Sequence, residues 1–161
     1  MATNNADNTN IGVGAAKEVT RPVQPAFGAY ADDQTNVTGD ATNYTVLWAN
    51  EIFDQGSNFA TNTFTAPVTG RYQLNMAIQM TGIGSTHTVA QAYLNTSNRN
   101  YSTDGCNVYV AAGNGYFTFM DSQLADMDAA DTATTSIYIS ATNKTCDVVG
   151  AGTFFNGYLA C

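Results

Sequence analysis

From Tyr72 to Met80 every second residue is apolar: Tyr72, Leu74, Met76, Ile78 and Met80 alternate with Gln73, Asn75, Ala77 and Gln79. A repeat of two over that length calls for a β-strand with one face in a core and the other turned to polar surroundings. On a helix the same five side chains would point all around the circumference, so an amphipathic helix is rejected. Ala66-Pro67-Val68-Thr69-Gly70 precedes the strand. Pro67 cannot donate to a ladder and Gly70 tolerates positive φ, so a turn feeds the strand.

Turn residues cut the rest of the chain into short apolar runs. Pro25 to Ala31 reads as a first strand, stopped by Asp32-Asp33-Gln34, and a polar stretch follows through Asn43. Tyr44 to Trp48, Glu51 to Asp54, Thr88 to Leu94, Asn107 to Ala111, Tyr116 to Met120, Ser136 to Ser140 and Thr153 to Leu159 read as further strands. An Asn/Ser/Thr loop is expected around Arg99, and a hairpin-type turn at Gly113-Asn114-Gly115. Many short strands without a helical period predict an all-β sandwich, barrel or jelly roll. No repeat points to a propeller or solenoid. Residues 1–24 have neither period and read as a polar arm ahead of a β domain, 25–161.

The formal net charge of −8 comes mainly from a shortage of Lys and Arg. Nucleic acid and membrane insertion are therefore not expected: anionic partners need a basic surface, and no stretch approaches the apolar length of a membrane helix. The N-terminus lacks the basic and apolar blocks of a secretory signal. Cys106, Cys146 and Cys161 have no metal-ligand spacing. Reduced thiols in a cytoplasmically made protein are expected, with a Cys106–Cys146 bridge as the alternative.

The spacing Trp48-x5-Asp54-x4-Phe59-x4-Phe64-x5-Gly70-x-Tyr72-x-Leu74-x-Met76, with FTAPVTGRY at Phe64 to Tyr72, resembles the globular heads of complement component one q. PAFGAYA at Pro25 to Ala31 is similar to the family's opening strand, and FFNGYLA at Phe154 to Ala160 to its closing strand. A usual Gly-Asp pair in the family is Ala130-Asp131 here. The resemblance, to a distant and viral (bacteriophage) member, implies a ten-stranded jelly roll shared with tumour necrosis factor, assembled as a homotrimer. Phe27, Tyr72, Leu74, Phe155 and Tyr158 are then expected in the core or the trimer interface. Apolar residues on both faces, as at Phe154/Phe155 and at Phe117/Phe119 beside Tyr116, fit surplus surface buried between subunits.

Chemistry is sparse. His87 is the sole histidine, and Ser85-Thr86-His87 sits at a turn with no positioned acid, so no triad is expected. Asp126, Asp128 and Asp131 offer oxygens to Ca2+, but the EF-hand glycine and closing glutamate are missing, and solvated turn acids are the preferred reading. Five Asn-x-Ser/Thr triplets, at Asn36, Asn43, Asn95, Asn100 and Asn143, are expected to be unmodified surface positions. Tyr93, Tyr101, Tyr109 and Trp48 are read as buried or interfacial aromatics before sugar-stacking ones. No enzyme, metal or cofactor is expected.

A collagen stalk would need a Gly-X-Y repeat, and none exists, which argues against a complement or adipokine role. A trimeric knob with a polar arm and a Thr/Asn-rich surface suits a virion component made in a host cytoplasm: a capsid decoration (cement) or head-fibre protein. Residues 1–24, with Ile11, Val13, Val19 and Arg21, would dock it on the capsid or fibre protein. The alternative is a receptor-binding fibre tip or adhesin, with the loops Asn95 to Gly105 and Gly113 to Tyr116 recognising a host surface glycan or protein.

Overall fold

The computed structural model describes residues 12–13, 19–20, 23–104, 115–140 and 143–161. In chain order its strands are β1 (Gly12–Val13), β2 (Val19–Thr20), β3 (Ala26–Tyr30), β4 (Gln34–Thr38) and β5 (Asn43–Thr45). Then come β6 (Asn50–Gln55), β7 (Phe59–Ala60), β8 (Thr63–Thr65), β9 (Gly70–Thr81) and β10 (Val89–Thr96). The last are β11 (Asn100–Asp104), β12 (Tyr116–Met127), β13 (Thr132–Ser140), β14 (Cys146–Val148) and β15 (Phe154–Leu159). One 3-10 turn spans Gly150–Gly152. Where ten strands were expected in residues 25–161, thirteen strand segments are described there, β3 to β15, and β1 and β2 precede them.

One sheet runs β11-β10-β13-β8-β7, with β5 also on β13. The other runs β4-β14-β9-β15-β3-β6, with β12 on the far edge of β9. The alternating strand is thus the spine of this second sheet. β12 pairs along its entire length, from Gly70↔Met127 to Thr81↔Tyr116. Its other edge takes β15 and then β14, separated by the 3-10 turn. β3 and β4 break at the same level, and the two breaks touch: a Cβ on Gly150 would stand 2.5 Å from the Ala31 carbonyl oxygen. β1 and β2 form a separate antiparallel pair with Val13 opposite Val19.

The core lies between the sheets. Tyr72, Leu74, Met76, Ile78 and Met80 all point into it. Phe27 stacks at 4.9 Å on Phe59 and at 4.7 Å on Phe64, which belong to the opposite sheet. Burying this set drives the two sheets together, on the order of 2 kcal/mol per large side chain. Gly157 faces inward opposite Leu74 and Phe27, and its missing Cβ makes room for both.

Several sequence readings need correction. The loop expected from Asn95 to Gly105 is largely a hairpin: β11 pairs with β10 over Asn100–Asp104, because backbone ladders need no apolar side chains. β12 runs on to Met127 instead of stopping at Met120, held by β9 through its polar half. β4 arises from the stretch read as polar, and β14 from a segment assigned no strand. Of Tyr44 to Trp48 only Tyr44 and Thr45 lie in a strand, β5, which begins one residue earlier at Asn43. Gly70 has no positive φ; it is needed because a Cβ would stand 2.7 Å from Leu159 Cδ1 and 2.8 Å from the Cys161 carbonyl oxygen. The strand read at Asn107 to Ala111, the turn residues Gly113 and Asn114, and Cys106 lie outside the described residues.

Candidate functional site

The pleat that sends one side of β9 into the core turns the other side outward, and register carries that parity across the sheet. Three cross-strand rows result. The first is Leu124, Gln73, Tyr158, Ala26 and Gln55; the second is Ser122, Asn75, Asn156, Gly28 and Phe53. The third holds Met120, Ala77, Phe154 and Tyr30. No position in these rows carries a charge, on a chain of net charge −8.

Exposed large apolar side chains concentrate here. Met120 is 67% exposed, Leu124 55%, Phe53 50% and Tyr158 47%, with Phe154 and Tyr30 close behind. Between Phe53 and Ile52 on one side and Phe154 and Tyr158 on the other runs a groove of about 500 Å³, floored by Gly28 and Gly157. A notch of about 300 Å³ lies beside Met120, walled by Asn75, Asp121, Ser122 and Phe154.

A polar ladder crosses the middle of the face. Gln73 Nε2 donates to Ser122 Oγ at 2.9 Å, Ser122 Oγ to Asn75 Oδ1 at 2.8 Å, and Asn75 Nδ2 to Asn156 Oδ1 at 2.9 Å. These bonds tie side chains of β12, β9 and β15 to one another. Covering them with a second surface then costs less desolvation than covering the same groups unpaired.

Of the residues expected in core or interface, Phe27, Tyr72, Leu74 and Phe155 are fully buried between the sheets, and Tyr158 stands on the outer face. Burial pushes the Tyr72 phenol above its ordinary range, while its hydroxyl donates to the Val68 carbonyl at 2.8 Å. Ile11 and Arg21 lie outside the described residues, and of Val13 and Val19 only the backbone pairing is described. Tyr30, Phe53, Met120, Leu124 and Phe154 were not singled out as site residues by the sequence. The usable signal was the doubled apolar pair, as at Phe154-Phe155, where one member must face away from the core.

The remaining candidates take structural parts. His87 is buried, accepting the Gly84 N–H at Nδ1 (2.9 Å) with Nε2 3.6 Å from Cys146 Sγ. Its partners are backbone and a thiol, where a triad needs a serine and a carboxylate. Asp131 Oδ2 accepts the Asp128 N–H (2.8 Å) and the Asn98 amide (2.7 Å), closing a turn. Thr69 donates to Asp128 Oδ1, and among the described residues no three metal-ligating side chains converge. Trp48 packs in the core 5.8 Å from Phe155; Tyr93 donates to Gln91 Oε1 at 2.6 Å; Tyr101 packs on the core. Tyr109 lies outside the described residues.

No protein-family model matches the chain. No curated protein matches it either. Solved structures do. The globular domain of zebrafish complement 1qA protein aligns with a TM-score of 0.57 at 14% identity, over 86% of this chain and 98% of that one. Murine APRIL aligns with a TM-score of 0.56 at 14% identity at pH 8.0, and 0.54 at 12% at pH 5.0, each over 84% of this chain and 98% of that one. At such identities the likeness concerns architecture, and the chain shares the jelly-roll fold of the complement-head and tumour necrosis factor class.

Proposed function

We propose that this chain is a non-enzymatic attachment protein: a homotrimeric jelly-roll knob of a virion, acting as capsid decoration (cement) or head-fibre protein held by residues 1–24. The observation that carries the reading is the set of three uncharged, partly aromatic rows on the outer face of the β9 sheet, bordered by Arg71 and Asp126 and crossed by a polar ladder, on an acidic body. Such a face, with exposed aromatic and methionine side chains on either side of a hydrogen-bonded polar row, has the mixed composition of a protein–protein interface. The groove at Phe53 and the ridge of Met120 and Leu124 on β12 differ in shape. Contact between them is heterologous and closes as a ring, in keeping with the trimer that the resemblance implies.

Both ends of the β domain meet at one end of the sandwich, which favours anchoring by the arm. The Gln24 side-chain amide donates to the Leu159 carbonyl oxygen, and Arg71 N–H to that of Cys161 at 2.7 Å. Three arms leaving one side of a knob bind with avidity, so each single contact can be weak. Light scattering on the eluted protein should give three times the chain mass, and Phe154→Asp with Tyr158→Asp should give folded monomer. Deleting residues 2–24 should leave a trimer that no longer decorates particles. A truncated trimer that still decorates them refutes the anchor; a monomeric full-length chain refutes the knob.

The competing reading, a receptor-binding fibre tip or adhesin, is favoured by Tyr116, 60% exposed on the sheet opposite the end where the chain termini meet. Adsorption of the knob to host cells that is lost in Tyr116→Ala would select it.

A further inference from the structure

We propose that Met120 makes the outer face redox-sensitive: its oxidation to the sulfoxide blocks association of a free subunit, whereas an assembled subunit is protected. The inference rests on the reading of this face as a contact between copies. Met76, Met80 and Met127 are no more than 1% exposed, whereas Met120 is 67% exposed. It stands in the row with Ala77, Phe154 and Tyr30, beside the notch walled by Asn75, Asp121, Ser122 and Phe154. Among the described methionines, the one open to solvent thus stands on β12, the strand at one margin of the surface that assembly would cover.

The chemistry needs a hydroperoxide as oxidant. The thioether sulfur attacks one peroxide oxygen, the S–O bond forms as the O–O bond breaks, and proton transfer releases water. Sulfur loses two electrons and peroxide gains them. The flexible apolar side chain becomes polar and chiral, with an oxygen that would have to be buried against Phe154 and a neighbouring copy. Because the core methionines are sealed between the sheets, one oxygen atom changes the face without opening the fold. Free and assembled subunits then differ in vulnerability, and peroxide removes unassembled subunits from the pool.

The test uses the full chain with hydrogen peroxide, followed by dithiothreitol to reverse thiol oxidation, which leaves sulfoxide intact. Peptide mass spectrometry should find +16 Da at Met120 at least tenfold faster in protein diluted to monomer than at concentrations where light scattering shows the trimer. The oxidised monomer should reassociate on the order of tenfold more weakly, and a methionine sulfoxide reductase should restore it. Met120→Leu, compared with its own untreated form, should show no peroxide effect on association. Equal oxidation rates in monomer and trimer, or a peroxide effect that persists in Met120→Leu, overturn the proposal while leaving the trimer in place. Absence of any trimer before treatment overturns the underlying reading instead.

Discussion

The ring of Phe53 lies over the bare Cα of Gly28, so that a methyl group added there would stand 2.7 Å from Phe53 Cε1. Phe53 is half exposed and its ring end can swing away. Gly28→Ala should therefore cost less than about 1 kcal/mol in a denaturant titration, yet weaken self-association, because the displaced ring closes the groove. Gly157→Ala is the contrasting case. Its Cβ would meet Leu74 Cδ2 at 2.6 Å, the Gln73 carbonyl oxygen at 2.9 Å and the Phe27 ring at 3.0 Å. Backbone and core cannot both move, so a loss of about 1–3 kcal/mol or more is expected in the same titration. Equal costs for the two variants would mean that the Phe53 ring is as fixed as the core.

Ala130 occupies a turn position with φ +75°, where an L side chain is crowded and glycine is not. The Asp131 N–H donates to the Asp128 carbonyl at 3.0 Å across this turn. Ala130→Gly should raise stability by about 0.5–1 kcal/mol, the released strain exceeding the extra chain entropy of glycine. An unchanged or lower denaturation midpoint would contradict it.

Thr135 is fully buried on β13, and its hydroxyl has no hydrogen-bond partner among the described residues. Valine keeps the shape and the β-branching while removing the unsatisfied group. Thr135→Val is expected to stabilise by about 1 kcal/mol, read from the thermal midpoint. A drop in that midpoint would indicate a buried water holding the hydroxyl.

Tyr72→Phe removes the phenol that donates to the Val68 carbonyl and should cost about 1 kcal/mol near neutral pH. Burial raises the Tyr72 pKa above its ordinary 10.0, so its contribution is complete below pH 10.0 and is lost as pH rises through the folded value. Tyr44 is displaced in the same direction for the same reason. Unfolding followed from neutral to strongly alkaline pH should show the gap between parent and variant narrowing above pH 10.0. A gap that is constant with pH would contradict the assigned role of the phenol.

Alternation was legible wherever a strand buries one face. Tyr72 to Met80, Thr88 to Leu94 and Ser136 to Ser140 were read directly as strands, and each belongs to a longer one in the structure. β4, β11 and β14 were not: β14, Cys146-Asp147-Val148, is too short to show a period, and in β4 and β11 Asn, Thr and Ser satisfy the backbone ladder without contributing an apolar stripe. β12 was cut short for the same reason: Asp121, Ser122 and Gln123 look like a turn, but their backbone is held by β9.

The sequence by itself determined that the chain is all-β, with Tyr72 to Met80 as a one-faced core strand, because a period of two admits no other regular structure. It also held a surplus of apolar residues beyond one core, visible in pairs such as Phe154-Phe155. Which member of each pair faces out was decided only by the tertiary structure. A single register, running from Met120 through Ala77 and Phe154 to Tyr30, gathers residues from four strands into one face. Those residues are up to 124 positions apart, Tyr30 to Phe154, and no local pattern links them. Their alignment is a property of hydrogen-bond pairing between distant strands, which emerges only when the sheet is assembled.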